Sequence, residues 1–254
     1  MSIELADTLA RARAEARTIE AVQMAARVAS VDEAYRIQSQ LAARLGHSVQ
    51  GWKVTALNIE QQRGYLTNRP VAGALLAPFV QTAPAALSAK QFVVPLLECE
   101  VAFVLGADLP ARQQAYTHTE IEAAVEAVLP AIEIADSRCP ADAPGLLKLA
   151  DSMGNGAFIA GAPVRDWRKL DLESLAVTLT HNNSIIERGR SARILGNPLL
   201  AVVALANAQP LPAGGLKRGH IVTTGTCTTP VPLKAGVYAG EFGALGHVRL
   251  DVGA

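Results

Sequence analysis

From Gly51 onward the chain is cut by glycine and proline into short apolar runs: GWKVTAL, VAGALLAPFV, LLECEVAFVL, AIEIAD, GAFIAG, LAVTLTHN, GHIVTTGT and HVRLDV. Each has the length of a strand and is too short for a stable helix, so most of them are expected to pair into sheets. Only two helical signals interrupt them. Thr119 followed by Glu122 reads as a capping box opening a helix that Pro130 ends, and Asn197 before Pro198 reads as an N-cap with proline at N1, opening PLLAVVALANA. So few helices between so many strands do not make a regular βαβ alternation.

The first fifty residues differ in character. Ile3 to about Val28 is rich in alanine and arginine and reads as helical. Ser30 and Glu33 then form a second capping box, after which Ala34, Ile37, Leu41 and Leu45 recur at helical spacing until Gly46. The expected fold is α+β, with a small helical N-terminal region over 1–50 and a mixed, largely β domain over 51–254.

The chain has 254 residues, half of them hydrophobic, and balances 23 basic against 23 acidic residues. Without a basic stripe, nucleic acid is not an expected partner. The longest apolar stretch, Leu199 to Ala206, is too short to span a bilayer, and the start carries no apolar targeting core, so a cytoplasmic protein without membrane attachment is expected. Cys99, Cys139 and Cys227 are odd in number and lack metal-finger spacing, which fits reduced thiols. The apolar surplus suits a homo-oligomer built on dimers.

The chemistry concentrates in LECEVAFVL. In a strand, Leu97, Cys99, Val101, Phe103 and Leu105 share one face and Glu98, Glu100, Ala102 and Val104 the other, with the two glutamate Cα atoms roughly 7 Å apart. Glu133 stands between Ile132 and Ile134 in AIEIADSR and turns to the opposite side from them. Three glutamates on apolar strands are either solvent-facing residues of amphipathic strands or ligands of a hard cation. Oxygen-only ligands would select Mg²⁺ or Mn²⁺.

Lys53 in GWKVT is either snorkelling to the surface or partly desolvated, with a lowered pKa suited to acid–base work. Asp151 precedes a glycine-rich bend and by itself reads as a turn aspartate. The segment Thr223 to Thr228, TTGTCT, presents either hydroxyls and amides to an anion or a plain strand end. The five histidines show no pairing that assigns them a role.

The order of these elements is more specific than any one of them. A lysine in GWK, the E-x-E strand, a single glutamate in PAIEI, an AD-containing glycine-rich turn, ILGNP opening a helix and finally TGT together resemble the fumarylacetoacetate hydrolase superfamily. Within it the chain resembles the branch containing 2-keto-4-pentenoate hydratase and 4-oxalocrotonate decarboxylase, from about Gly51 to Val252.

The resemblance implies a β-sandwich-roll core and a divalent-metal-dependent lyase of aromatic-compound catabolism, acting on a small 2-oxo acid through a metal-stabilised enolate. It implies Glu98, Glu100 and Glu133 as metal ligands, Lys53 and Asp151 as catalytic residues, and Thr226 and the residue at position 71 as substrate contacts. Ser152 follows Asp151 where the family has asparagine. Val71, in RPVAG, stands where the hydratases carry the aspartate of a PDFG-like motif; decarboxylases of the branch also have an apolar residue there. The reading carried forward is a hydratase-like enzyme. Its alternatives are a 4-oxalocrotonate-type decarboxylase, an acylpyruvate C–C hydrolase, and a non-catalytic partner subunit.

Overall fold

A computed structural model describes residues 2–20 and 28–254 of the chain. Its strands are β1 (Val49–Thr55), β2 (Val71–Leu76), β3 (Val80–Thr82), β4 (Ala85–Ser88), β5 (Leu96–Leu105), β6 (Val125–Ala135), β7 (Asn155–Ala160), β8 (Ala176–His181), β9 (Ser184–Arg190), β10 (Ile221–Thr226), β11 (Val231–Pro232), β12 (Gly236–Glu241) and β13 (His247–Gly253). One sheet has the order β2-β1-β10-β5-β6-β7-β3, with β11 pairing β5, and the second has the order β4-β13-β12-β8-β9. Most neighbours are antiparallel, but β1 with β10, β3 with β7 and β4 with β13 run parallel. All eight apolar runs from the sequence contain a strand.

The alternation along β5 decides how the layers stack. Leu97, Cys99, Val101, Phe103 and Leu105 join one large core with Leu179, Tyr238, Val248 and Leu250 of the second sheet. The opposite face of β5 contributes Ala102 to a separate cluster with Leu75 of β2, Leu129 and Ala131 of β6, and Phe158 and Ala160 of β7. Strands from both ends of the sheet meet in that cluster, so the sheet curls into a roll. Glu98 and Glu100 lie on this inner face. The strand is buried on both sides, as a near-continuous apolar run requires.

Helices cover the remaining surface of the core: α1 (Ser2–Ala14), α2 (Val31–Leu45), α3 (Ile59–Gly64), α4 (His118–Ala124), α5 (Gly145–Ala150) and α6 (Leu199–Ala206). Helix α2 starts at the expected N-cap, Ser30, whose side chain accepts the Glu33 N–H, and ends at Gly46 in the left-handed conformation. Its inner face is tied to the sheet by polar bonds as well as apolar packing. The buried Gln38 amide donates to the carbonyls of Ala72 and Leu149 and accepts from the Ala74 N–H.

Two helical expectations are corrected. The first helix stops at Ala14, and Ala16 adopts a left-handed φ of 46°. The chain is then captured by the core, where Ile19 is buried and donates its N–H to the Arg138 carbonyl. Residues 21–27, part of the same expected helix, lie outside the described residues.

The second correction concerns the capping box, which is formed by Thr117 and Glu120, two residues earlier than Thr119 and Glu122. That helix ends at Ala124, and the chain continues as a strand straight through Pro130. The proline is tolerated because its carbonyl faces Gly161, just past the end of β7, so the missing donor falls beyond that ladder's last rung.

Candidate metal centre

Strand pairing assembles the acidic residues. Glu98 on β5 is directly opposite Glu133 on β6, and Glu100 sits two residues further along β5, opposite Ala131 on one side and Thr226 on the other. Each of the three offers a carboxylate oxygen within 4.8 Å of the others. Lys53 reaches this group from β1, its Nζ 3.0 Å from Glu133 Oε1 and 3.5 Å from Glu98 Oε2.

Backbone shape supplies the hydrogen-bonding shell. Between Thr223 and Thr226 the β10–β5 register shifts, and Gly225 takes a φ of 107° that only glycine adopts without strain. This bulge aims the Gly225 N–H at Glu100 Oε2, 3.0 Å away, and the Thr223 hydroxyl donates to the same oxygen. Asn155, at the start of β7, donates its Nδ2 to Glu133 Oε1 at 2.9 Å.

Ahead of Asn155, the residues Ser152, Met153 and Gly154 all have positive φ. For the two non-glycines this costs about 1–3 kcal/mol each and is characteristic of functional turns. Gly73 makes room for the turn, since a Cβ there would come within 2.2 Å of the Ser152 carbonyl oxygen.

After these bonds, Glu100 Oε1 and Glu133 Oε2 remain buried with no hydrogen-bond partner among the described residues. An uncompensated buried acceptor costs about 1–3 kcal/mol, and more when charged. Burial, then the neighbouring Glu133 and Glu98, raises the Glu100 pKa well above the usual carboxylate range. Burial also raises Glu133, although Lys53 opposes the shift. Three carboxylates thus face a single ammonium. The unpartnered oxygens, the all-oxygen donor set and the negative excess fit a hard divalent cation.

Lys53 departs from the sequence expectation. Burial by itself would lower its pKa, but Glu133, Glu98 and Glu100 more than offset that effect, and the ammonium is held with a raised pKa. The TTGTCT polar groups are also committed inward: Gly225 and Thr223 bind Glu100, and the Thr224 hydroxyl donates to the Val101 carbonyl.

A cavity of about 450 Å³ opens beside the cluster, lined among others by Lys53, Glu98, Glu100, Met153, Arg193 and Thr226. Glu133 is fully buried behind it. Thr226 lines the cavity with its hydroxyl donating to the Thr228 carbonyl at 2.9 Å. None of the five histidines is among the lining residues.

Two residues expected at the site, Val71 and Asp151, are not among those lining the cavity. Val71 is fully buried in the apolar core, paired with Thr55 across β1 and β2. Asp151 is also fully buried, and its carboxylate is claimed by Arg138, accepting from Nε at 3.0 Å, Nη2 at 2.8 Å and the backbone N–H at 2.9 Å. Asn155 was not singled out in the sequence, and Thr223 and Gly225 entered only as part of TTGTCT, without a link to Glu100. The bulge at Gly225 and the turn before Asn155 exist only once the strands are paired.

No family model matches the chain. It is 33% identical over 236 residues to a 2-keto-4-pentenoate hydratase of Paraburkholderia xenovorans, covering 87% of this chain and 84% of the relative. It is 27% identical over 208 residues to a 4-oxalocrotonate decarboxylase of a Pseudomonas species, covering 80% and 78%. The structure of 4-oxalocrotonate decarboxylase from Pseudomonas putida complexed with calcium and acetate superposes with a TM-score of 0.87 at 23% identity, covering 99% of this chain and 96% of that one. A second structure of that decarboxylase is complexed with magnesium and adipate.

Proposed function

The chain belongs to the family of 2-keto-4-pentenoate hydratases and 4-oxalocrotonate decarboxylases, lyases with the fumarylacetoacetate hydrolase fold, and we propose that it is a divalent-metal-dependent hydratase of a small 2-oxo acid. Glu98, Glu100 and Glu133 would hold the cation, Mg²⁺ or Mn²⁺. The observation that carries this is the pair of buried, unpartnered oxygens Glu100 Oε1 and Glu133 Oε2 on carboxylates whose other oxygens are already fixed by donors. Those donors fix one oxygen of each carboxylate and leave the other without a partner among the described residues. When bound, the cation supplies Lewis-acid stabilisation of negative charge developing on the keto oxygen of the substrate.

In this proposal the chain's own groups move the protons. Lys53 Nζ, buried at the cavity wall and held as an ammonium by Glu133 and Glu98, gives a proton to the substrate and takes it back. Thr226 meets the substrate's carboxylate end from the opposite strand, with its hydroxyl turning from the Thr228 carbonyl to the ligand. Asp151 acts at a distance, as the partner that fixes Arg138. Catalysis resides in 51–254, and the segment 1–50 supports it through Arg13, which donates to the Asn155 and Gly156 carbonyls at 2.7 and 2.8 Å.

Val71 favours a second reading, decarboxylation. It is apolar and buried, and among the described residues the carboxylates lining the cavity are Glu98 and Glu100, with no further acid beside them to activate water. Calorimetric titration of chelator-stripped protein with Mg²⁺ and Mn²⁺, followed by product analysis on a dienoate and on an oxalo acid, tests both readings. The proposal extends to a cytoplasmic homo-oligomer built on dimers, working in aromatic-compound catabolism. Exposed apolar residues such as Ile185 on the edge strand β9 support the oligomer, and among the described residues no helix is long and apolar enough to cross a membrane.

A further inference from the structure

The cavity beside the glutamates is lined by two kinds of cationic side chain. Lys53 is occupied by Glu133 and Glu98. Arg193 is the other, and it makes no hydrogen bond or ion pair among the described residues, which places it beyond ion-pair reach of Glu98 and Glu100. An exposed arginine without a partner is ordinary on an open surface. At the rim of an acid-lined cavity that must admit an anion it provides a free anchoring point.

Its backbone is firmly built. Arg193 ends a 3₁₀ turn, Ser191–Arg193, whose first residue is fully buried. The Ser191 hydroxyl accepts the Leu175 N–H at 3.1 Å, and the Ser191 N–H donates to the Leu175 carbonyl at 3.0 Å. Ile194 is buried against Gly225, the same glycine that binds Glu100, and its N–H returns to the Ser191 carbonyl at 2.9 Å. Leu195 then adopts a left-handed φ of 54°. A strained, anchored turn that leaves its one cationic side chain unengaged is a positioning device. The lining of the same cavity includes the apolar side chains of Met153, Ile194 and Leu195.

We infer that the site takes 2-oxo acids bearing a second carboxylate, and that Arg193 pairs with that distal carboxylate while the aliphatic segment lies along the apolar wall. This rests on the proposed function, in which the proximal 2-oxo acid end is held at the glutamates. Guanidinium is the group best suited to a carboxylate fork, and lysine reproduces its charge but not its bidentate geometry.

The test is calorimetric, in excess Mg²⁺, with 2-oxopentanoate and 2-oxoadipate as probes. It uses the full chain as wild type, Arg193→Ala and Arg193→Lys; the side chain is exposed, so both variants fold. Wild type is expected to bind 2-oxoadipate about tenfold or more tightly than 2-oxopentanoate. That ratio should fall to near one in Arg193→Ala and recover in part in Arg193→Lys. Equal affinities in wild type, or a preference that survives Arg193→Ala, overturn the inference and leave the proposed function standing. If neither probe binds in a Mg²⁺-dependent way, the proposed function fails and the inference falls with it.

Discussion

Glu98 and Glu133 stand directly opposite each other on the antiparallel strands β5 and β6, and Lys53 Nζ lies within 3.5 Å and 3.0 Å of their respective carboxylates. Like charges in direct register destabilise a sheet, and burial makes this more costly. Here the pair is held by one ammonium and by Asn155 of β7 on Glu133, while donors of β10 hold Glu100, and Glu133 Oε2 and Glu100 Oε1 keep no partner among the described residues. The behaviour expected of individual variants follows from this arrangement.

Glu100→Gln removes one ligand charge while keeping the shape of the side chain. Losing a donor that merely orients a ligand already costs about 10–100-fold in metal affinity, so losing the ligand itself should cost at least about 100-fold. Titration of chelator-stripped protein with Mn²⁺ checks this. Wild-type affinity in the variant would remove Glu100 from the centre.

Asn155→Ala leaves all three glutamates in place but frees Glu133 Oε1 from its amide donor. The expected result is a loss of about 10–100-fold in Mg²⁺ affinity with the fold retained. The same titration, accompanied by circular dichroism, measures it.

Lys53→Met separates binding from chemistry. The ammonium competes with a cation for Glu133 and Glu98, so the variant should bind Mg²⁺ at least as tightly as wild type. Turnover should nevertheless fall by about 10²–10⁴-fold, the usual contribution of a general acid–base group. Unchanged turnover would exclude Lys53 from proton transfer.

Asp151→Asn leaves the Arg138 guanidinium buried beside an amide in place of a carboxylate. Breaking one partner of such a pair costs about 3–5 kcal/mol of folding stability. Denaturant unfolding should show this loss, and the double variant Asp151→Leu with Arg138→Met should recover much of it. If Asp151 acted on the substrate, the double variant would be stable and inactive even with metal bound. A positioning role predicts partial activity.

Much of the architecture could be read from the residues because it depends on local pattern. LECEVAFVL alternates so regularly that both faces of β5 were predictable, and with them the side on which Glu98 and Glu100 lie. Edge strand β9, SIIERGR, has no buried residue and so carries no such pattern. Pro130 read as a helix stop because its tolerance depends on where β7 ends, which is a tertiary fact. The same holds at the site. The three glutamates and Lys53 were visible in their motifs, whereas Asn155 and Gly225 acquire their roles only through a turn and a register shift. The Lys53 pKa is raised where burial alone would lower it, for a related reason: burial was foreseeable, but the close approach of Glu133 and Glu98 to its ammonium depends on strand pairing.

The most direct measurement is mass spectrometry of the products formed when chelator-stripped protein, with and without added Mg²⁺, is given 2-hydroxypenta-2,4-dienoate and 4-oxalocrotonate separately. A gain of water or a loss of carbon dioxide that appears only with Mg²⁺, and disappears in Glu100→Gln, is the predicted result; water gain identifies the hydratase and carbon dioxide loss the decarboxylase. Turnover of either substrate without metal, or none with it, would contradict the account.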